Sequence, residues 1–210
     1  MALDDARKKS LAATEMGAFF NQTAQVKAFV RVQGNYNGNA YTIFKDSNDG
    51  DADAKAAAVH NAVKAIVDKG LALPTGLRVY CTKAYEAQNR AFSRGVGWDA
   101  LSYVILGSAA LVGGRADALS ATGLAGKNKP TITCIHEIGH ILHERGAGDS
   151  FWETGSALSG KAANGSEVSG YAAQNKKEFV AEVFAGLILG KTFSPACMRE
   201  YAALHGPAVP

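Results

Sequence analysis

The chain has 210 residues, 47% hydrophobic and 20% charged, with a formal net charge of +3. That balance suits one globular domain with a full core, and the scattered Lys and Arg form no basic–aromatic stripe of the kind that binds nucleic acid. No apolar run reaches the roughly 18 residues a membrane helix needs, and the start, MALDDARKKSLAATEMGAFF, lacks the apolar core and small-residue cleavage site of a secretory signal.

In chain order, residues 5–29 read as helical with polar breaks. FVRVQGNYNGNAYTIF then alternates apolar and polar residues on both sides of Asn37-Gly38, a pair suited to the positive φ angles of a type I′ turn, so a β-hairpin is expected over 29–44. KDSNDGDAD follows as an acidic loop. Counted from Asp46, Asp51 and Ala57 stand where a calcium-binding EF-hand loop needs Gly and Glu, so the loop is expected to cap the next helix instead. That helix spans 53–69, with Val59, Val63, Ile66 and Val67 on its apolar face and Gly70 as its stop. GLRVYCTK (76–83) and SYVILGSAALVGG (102–114) read as strands, and residues 114–130 as a Gly-rich connection.

A second helix begins near Pro130, with Thr131 or Thr133 as cap and Gly146 at its end. Residues 146–170 form a long Gly- and Ser-rich connection, leaving open whether it closes over a site. A helix over 175–189 stops at Gly190, and a last one opens at Ser194-Pro195. The order predicts an α+β fold, a mixed sheet with a hairpin and helices packed on it. The whole of 1–210 reads as one domain, with 1–130 carrying the sheet and 131–210 the histidine helix, the connection and the C-terminal helices. Cys81, Cys134 and Cys197 make an odd count without a C-x-x-C pair, and buried thiols are expected, with one pair able to bridge in an oxidising setting.

The chemistry concentrates in TCIHEIGHILHER, residues 133–145. On a helix each residue turns about 100°, so His136 and His140 stand about 40° apart, one turn from each other. Two imidazoles so placed can share one Zn2+, and Glu137 between them can reach a water on the metal without ligating it. Burying these three groups without a partner would cost several kcal/mol, roughly 2–7 for a polar group alone; a metal removes that penalty. Gly139 marks a close approach, expected to be that of the helix on the sheet.

A catalytic zinc usually takes a third protein ligand and leaves a fourth position open. His143 shares the face of His136 but lies about 10 Å along the axis, too distant for one ion. Asp149, Glu153 and Glu167 fall in the long connection. Glu178 is the preferred ligand, with Glu182 one turn later placed to bond the free ring nitrogen of a ligand histidine. Asn175 to Glu178 also has capping-box spacing, a competing role for Glu178. Two alternatives stand beside this: a peptidase with Asp149 as ligand, and a binding domain whose structural zinc is closed by Cys134 or His143.

H-E-x-x-H followed some forty residues later by Y-A-x-x-x-x-x-E-F-x-A-E resembles the gluzincin metallopeptidases, in the group that includes the catalytic domain of anthrax lethal factor and related bacterial toxin peptidases. The likeness covers 133–184. It implies a zincin-like fold, zinc held by His136, His140 and Glu178, Glu137 as general base, Tyr171 as a donor to the reaction's oxyanion, and Glu182 supporting a ligand histidine. It does not carry over a particular substrate; the peptidase reading itself expects a polypeptide, lying extended on an edge strand supplied by 102–114. By analogy the likeness suggests a delivered effector, exported without a signal peptide and kept in check by an immunity partner or carried by a secretion-system protein; a cytoplasmic peptidase is the other expectation.

Overall fold

The computed structural model describes residues 29–83, 90–93, 102–107, 129–153 and 155–210, with 90–93 as backbone alone. Residues 5–28 of the helix predicted over 5–29, the strand residues 108–114 and the Gly-rich connection up to 128 lie outside them, while Phe29 is in a strand. The protein is α+β: among the described residues, a five-stranded mixed sheet has helices packed on it.

Strands β1 (Phe29–Tyr36) and β2 (Asn39–Asp46) form the expected hairpin, extended to Asp46. Asn37 and Gly38 take φ of 49° and 82°, so the turn residues do what their lack of steric penalty allows. Helix α1 (Ala52–Asp68) then leads to β3 (Leu77–Cys81), β4 (Arg90–Ser93) and β5 (Ser102–Leu106). The strand order is β1-β2-β3-β5-β4, with β2, β3 and β5 parallel and both outer strands antiparallel to their neighbours. Segment 102–106 is therefore an interior strand, and among the described strands the edge on that side is β4. Of the segment 102–114 expected to supply an edge, the described strand Ser102–Leu106 is not one: all five of its residues are buried and four are apolar, the pattern of an interior strand, while 108–114 lie outside the described residues.

Register builds the core. Ile43, Val79 and Val104 lie side by side across three strands and are fully buried. Each such side chain contributes roughly 1.5–3 kcal/mol on leaving water. Val59, Ala62, Val63 and Ile66 of α1 join them in one cluster. On the opposite face, Phe44 stacks on Tyr80 at 4.7 Å between ring centroids.

The acidic loop does not cap α1. Asp51, at the cap position, makes no side-chain cap bond. Asp49 instead accepts from Lys55 Nζ at 2.6 Å, and Lys55 also donates to the Thr82 carbonyl at 3.3 Å. The cation Asp49 gathers is thus a lysine of the helix that follows the loop.

Helix α2 (Lys129–Ala147) carries the histidines. It touches α1, β4, β5 and the later helix Lys176–Ile188, and is buried nearly all round from Ile132 to Glu144. Thr131 and Thr133 lie inside it, so neither caps its start. It runs one residue past Gly146, and Gly148 (φ 57°) takes the left-handed turn after it. A short 3-10 turn (Gly148–Phe151) and the one-turn α3 (Gly165–Val168) follow. Helix α4 (Lys176–Ile188) ends before Gly190 at φ 84°, and α5 (Pro195–Ala203) opens on Ser194, whose Oγ accepts the Cys197 amide at 3.2 Å. No helix among the described residues is long and apolar enough to cross a membrane.

Candidate metal centre

Helices α2 and α4 come together where one side chain is missing. A Cβ on Gly139 would stand 2.8 Å from Phe184 Cδ1 and 3.5 Å from Ala181 Cα. The close approach foreseen at Gly139 is thus to α4, not to the sheet. With Ala181 against Gly139, Glu178 and Glu182 are brought beside the histidine pair.

Glu178 Oε2 lies 3.1 Å from His136 Nε2 and 3.3 Å from His140 Nε2. The three ligand atoms fall within 4.8 Å of one another. Donors about 2.0–2.1 Å from a tetrahedral ion stand about 3.3–3.4 Å apart, so the two nitrogen–oxygen separations match shared coordination. The residues therefore fit a metal ion, with two imidazoles and a carboxylate as donors. Asn175 Oδ1 does cap α4, accepting the Glu178 amide at 2.9 Å. The cap uses the Glu178 backbone, while its carboxylate turns to the histidines.

Glu182 Oε1 is 2.8 Å from His136 Nδ1, an ion-pair distance that is bent away from an ideal N–H···O line. Burial pulls the His136 pKa down, but Glu178 on one ring nitrogen and Glu182 on the other outweigh it, leaving it well above the ordinary value. Burial pushes the Glu178 carboxyl up, yet the two imidazoles hold it well below the usual carboxylate range. The pocket favours positive charge between these groups.

Glu137 is buried, on the same helix turn as the ligand pair. The Tyr171 ring centroid lies 6.1 Å from that of His136. The other candidates stand elsewhere. His143 is fully buried and its Nε2 donates to the Leu204 carbonyl at 2.7 Å. Asp149 is exposed on the 3-10 turn. Glu153 is half-buried and outside the cluster. Glu167 accepts from the Ser194 amide and hydroxyl. Cys134 is fully buried, and burial lifts its thiol well above the ordinary value; Cys81 and Cys197 are pushed up to about 12 by the same cause. All three cysteines are free, so no pair bridges.

Sequence reasoning missed Glu200, whose carboxylate binds the connection 36 residues upstream. No local pattern connects those positions. Comparison with protein-family models, curated proteins and solved structures returned no match.

Proposed function

We propose that the protein is a zinc-dependent endopeptidase. The observation that carries this is one carboxylate oxygen, Glu178 Oε2, set between two histidine nitrogens of an H-E-x-x-H helix. Two imidazoles and a carboxylate are a donor set suited to zinc, and three protein ligands are the number a catalytic site uses. Zinc, when bound, supplies Lewis acidity toward water and a peptide carbonyl.

The chain's own residues supply the rest. Glu137 takes the proton of the attacking water and returns it to the leaving amine. The Tyr171 hydroxyl donates to the carbonyl oxygen as it gains charge. Glu182 holds His136 in the tautomer whose Nε2 lone pair faces Glu178 and its shared site. A substrate strand pairs with β4, the edge among the described strands on the side of α2. The mixed sheet and the histidine helix against its β5–β4 side support a zincin-like reading of the fold. Neither Cys134 nor His143 belongs to the donor cluster, and His143 is engaged with the Leu204 carbonyl, which argues against a closed structural zinc. The likeness to toxin peptidases extends the proposal to a delivered effector with an immunity or carrier protein as partner.

The test is Glu137→Gln in zinc-loaded protein assayed on an unfolded polypeptide. The variant is expected to keep its zinc and lose activity by about 10²–10⁴-fold. An active Glu137→Gln enzyme, or a chelator without effect on the parent, would overturn the proposal.

A further inference from the structure

Glu200 of α5 lies far along the chain from the histidine helix. Its carboxylate nevertheless grips the backbone of the long connection. Oε1 accepts the Ala163 amide, and Oε2 accepts both the Asn164 amide and Asn164 Nδ2, each at 2.7 Å. Burial raises its pKa, but these bonds bring the net direction below the ordinary value. A reciprocal grip runs the other way. Glu167 of α3 accepts the Ser194 amide at 2.6 Å and the Ser194 hydroxyl at 2.5 Å, and Ser194 caps α5. Hydrogen bonds to a carboxylate are roughly twice as strong as neutral ones.

Helix α3 follows directly on the first grip, carries the second and bears on the next turn. A Cβ on Gly165 would stand 2.5 Å from Ala173 Cα and 2.7 Å from the Ala172 carbonyl oxygen. That turn is closed by Ala172 N to Ser169 Oγ at 2.9 Å, Ala173 N to Ser169 O at 3.1 Å and Gln174 N to Tyr171 O at 3.0 Å. It carries Tyr171 and runs into Asn175, the cap of the helix that bears Glu178.

We propose that Glu200, acting through α3 and Gly165, is a positioning residue that sets where Tyr171 stands relative to the histidine pair. This rests on the reading of Tyr171 as oxyanion donor. Such a donor works only when held to about 0.5 Å, and a misplacement of about 1 Å costs on the order of 10²-fold in rate. Anchored at Ala163, Asn164 and Glu167, the latter part of the connection is a brace for Tyr171 and not a lid. Glu200 touches no ligand, so the metal site is untouched by its loss.

The experiment uses the zinc-loaded full chain and the variants Glu200→Gln and Gly165→Ala. Both are expected to keep the parent's zinc content and to lower kcat by ~10-fold or more, with KM within about twofold. In a Tyr171→Phe background, Glu200→Gln should lower kcat no further. In protein labelled with 3-fluorotyrosine, the Tyr171 fluorine line, identified by its absence in Tyr171→Phe, should shift in Glu200→Gln while the Tyr41 and Tyr103 lines stay. Independent, multiplying losses in the double variant, or an unmoved Tyr171 line, would overturn the proposal. Should Glu200→Gln fail to fold, Gly165→Ala carries the same readouts with the Glu200 bonds intact. A parent without peptidase activity would overturn the peptidase reading alone, and the fluorine line would still decide the brace.

Discussion

Glu182 Oε1 lies 2.8 Å from His136 Nδ1, on the ring edge opposite the nitrogen that faces Glu178. One helix thus addresses both nitrogens of one imidazole, from positions one turn apart. A carboxylate behind a ligand histidine fixes its tautomer and raises its basicity. Glu182→Gln is expected to weaken zinc binding by about 10–100-fold, measured by competition with a chelating dye. An unchanged affinity would reduce Glu182 to a packing role.

Glu178 and Asp149 were rival third ligands, and their places in the fold separate them. If the proposed zinc site holds, Glu178→Ala is expected to lose tight zinc binding, since it removes one of the three candidate donors. Asp149→Ala, at an exposed position outside the cluster, is expected to retain it. Metal analysis of the two purified variants checks this; zinc loss in Asp149→Ala alone would reverse the assignment.

Gly139 sets the spacing of the two site helices. Gly139→Ala gains about 1 kcal/mol in helix propensity but drives a methyl to 2.8 Å from the Phe184 ring. Overpacking of this kind costs about 1–3 kcal/mol, so a net loss of about 1 kcal/mol is expected in urea unfolding. Zinc affinity should fall with it as α4 is pushed away. Phe184→Leu should restore part of both; a Gly139→Ala protein with the parent's stability and affinity would show that the helices have room to spare.

His143 gives stability a pH dependence. Burial pulls its pKa down from 6.5 to about 4, because a charged ring would sit among apolar groups and beside other cations. Above pH 6.5 the ring is neutral folded and unfolded, and its titration costs nothing. As pH falls from 6.5 toward 4 the unfolded chain takes up a proton that the folded one refuses, and stability drops by about 3 kcal/mol. The urea midpoint of the metal-free parent should fall more steeply over this window than that of His143→Gln. Parallel curves would refute the assignment.

Lys55 and Asp49 form a pair almost wholly out of water. Lys55→Met strands the carboxylate, and a loss of about 3–5 kcal/mol is expected. Adding Asp49→Asn should recover much of it, and additive losses in the double variant would argue that the pair does not act as a unit.

The histidine helix was legible in the sequence because its signals act within one or two turns. The spacing of His136 and His140, the Asn37-Gly38 turn, the Asn175 and Ser194 caps and the stop at Gly190 each depend on a few consecutive residues, whose backbone sterics and local hydrogen bonds hold in any context. Glu178 and Glu182 could be placed on one helix face by the same periodicity, but not beside the histidines. That required α4 to seat its Ala181 and Phe184 on Gly139, a contact between residues some forty positions apart. Strand order likewise came only from which apolar faces pair, which put 102–106 in the interior. The brace from Glu200 to Asn164 joins groups with no shared local pattern at all. Short-range chemistry named the donors, and burial of apolar surface between distant segments decided which of them meet.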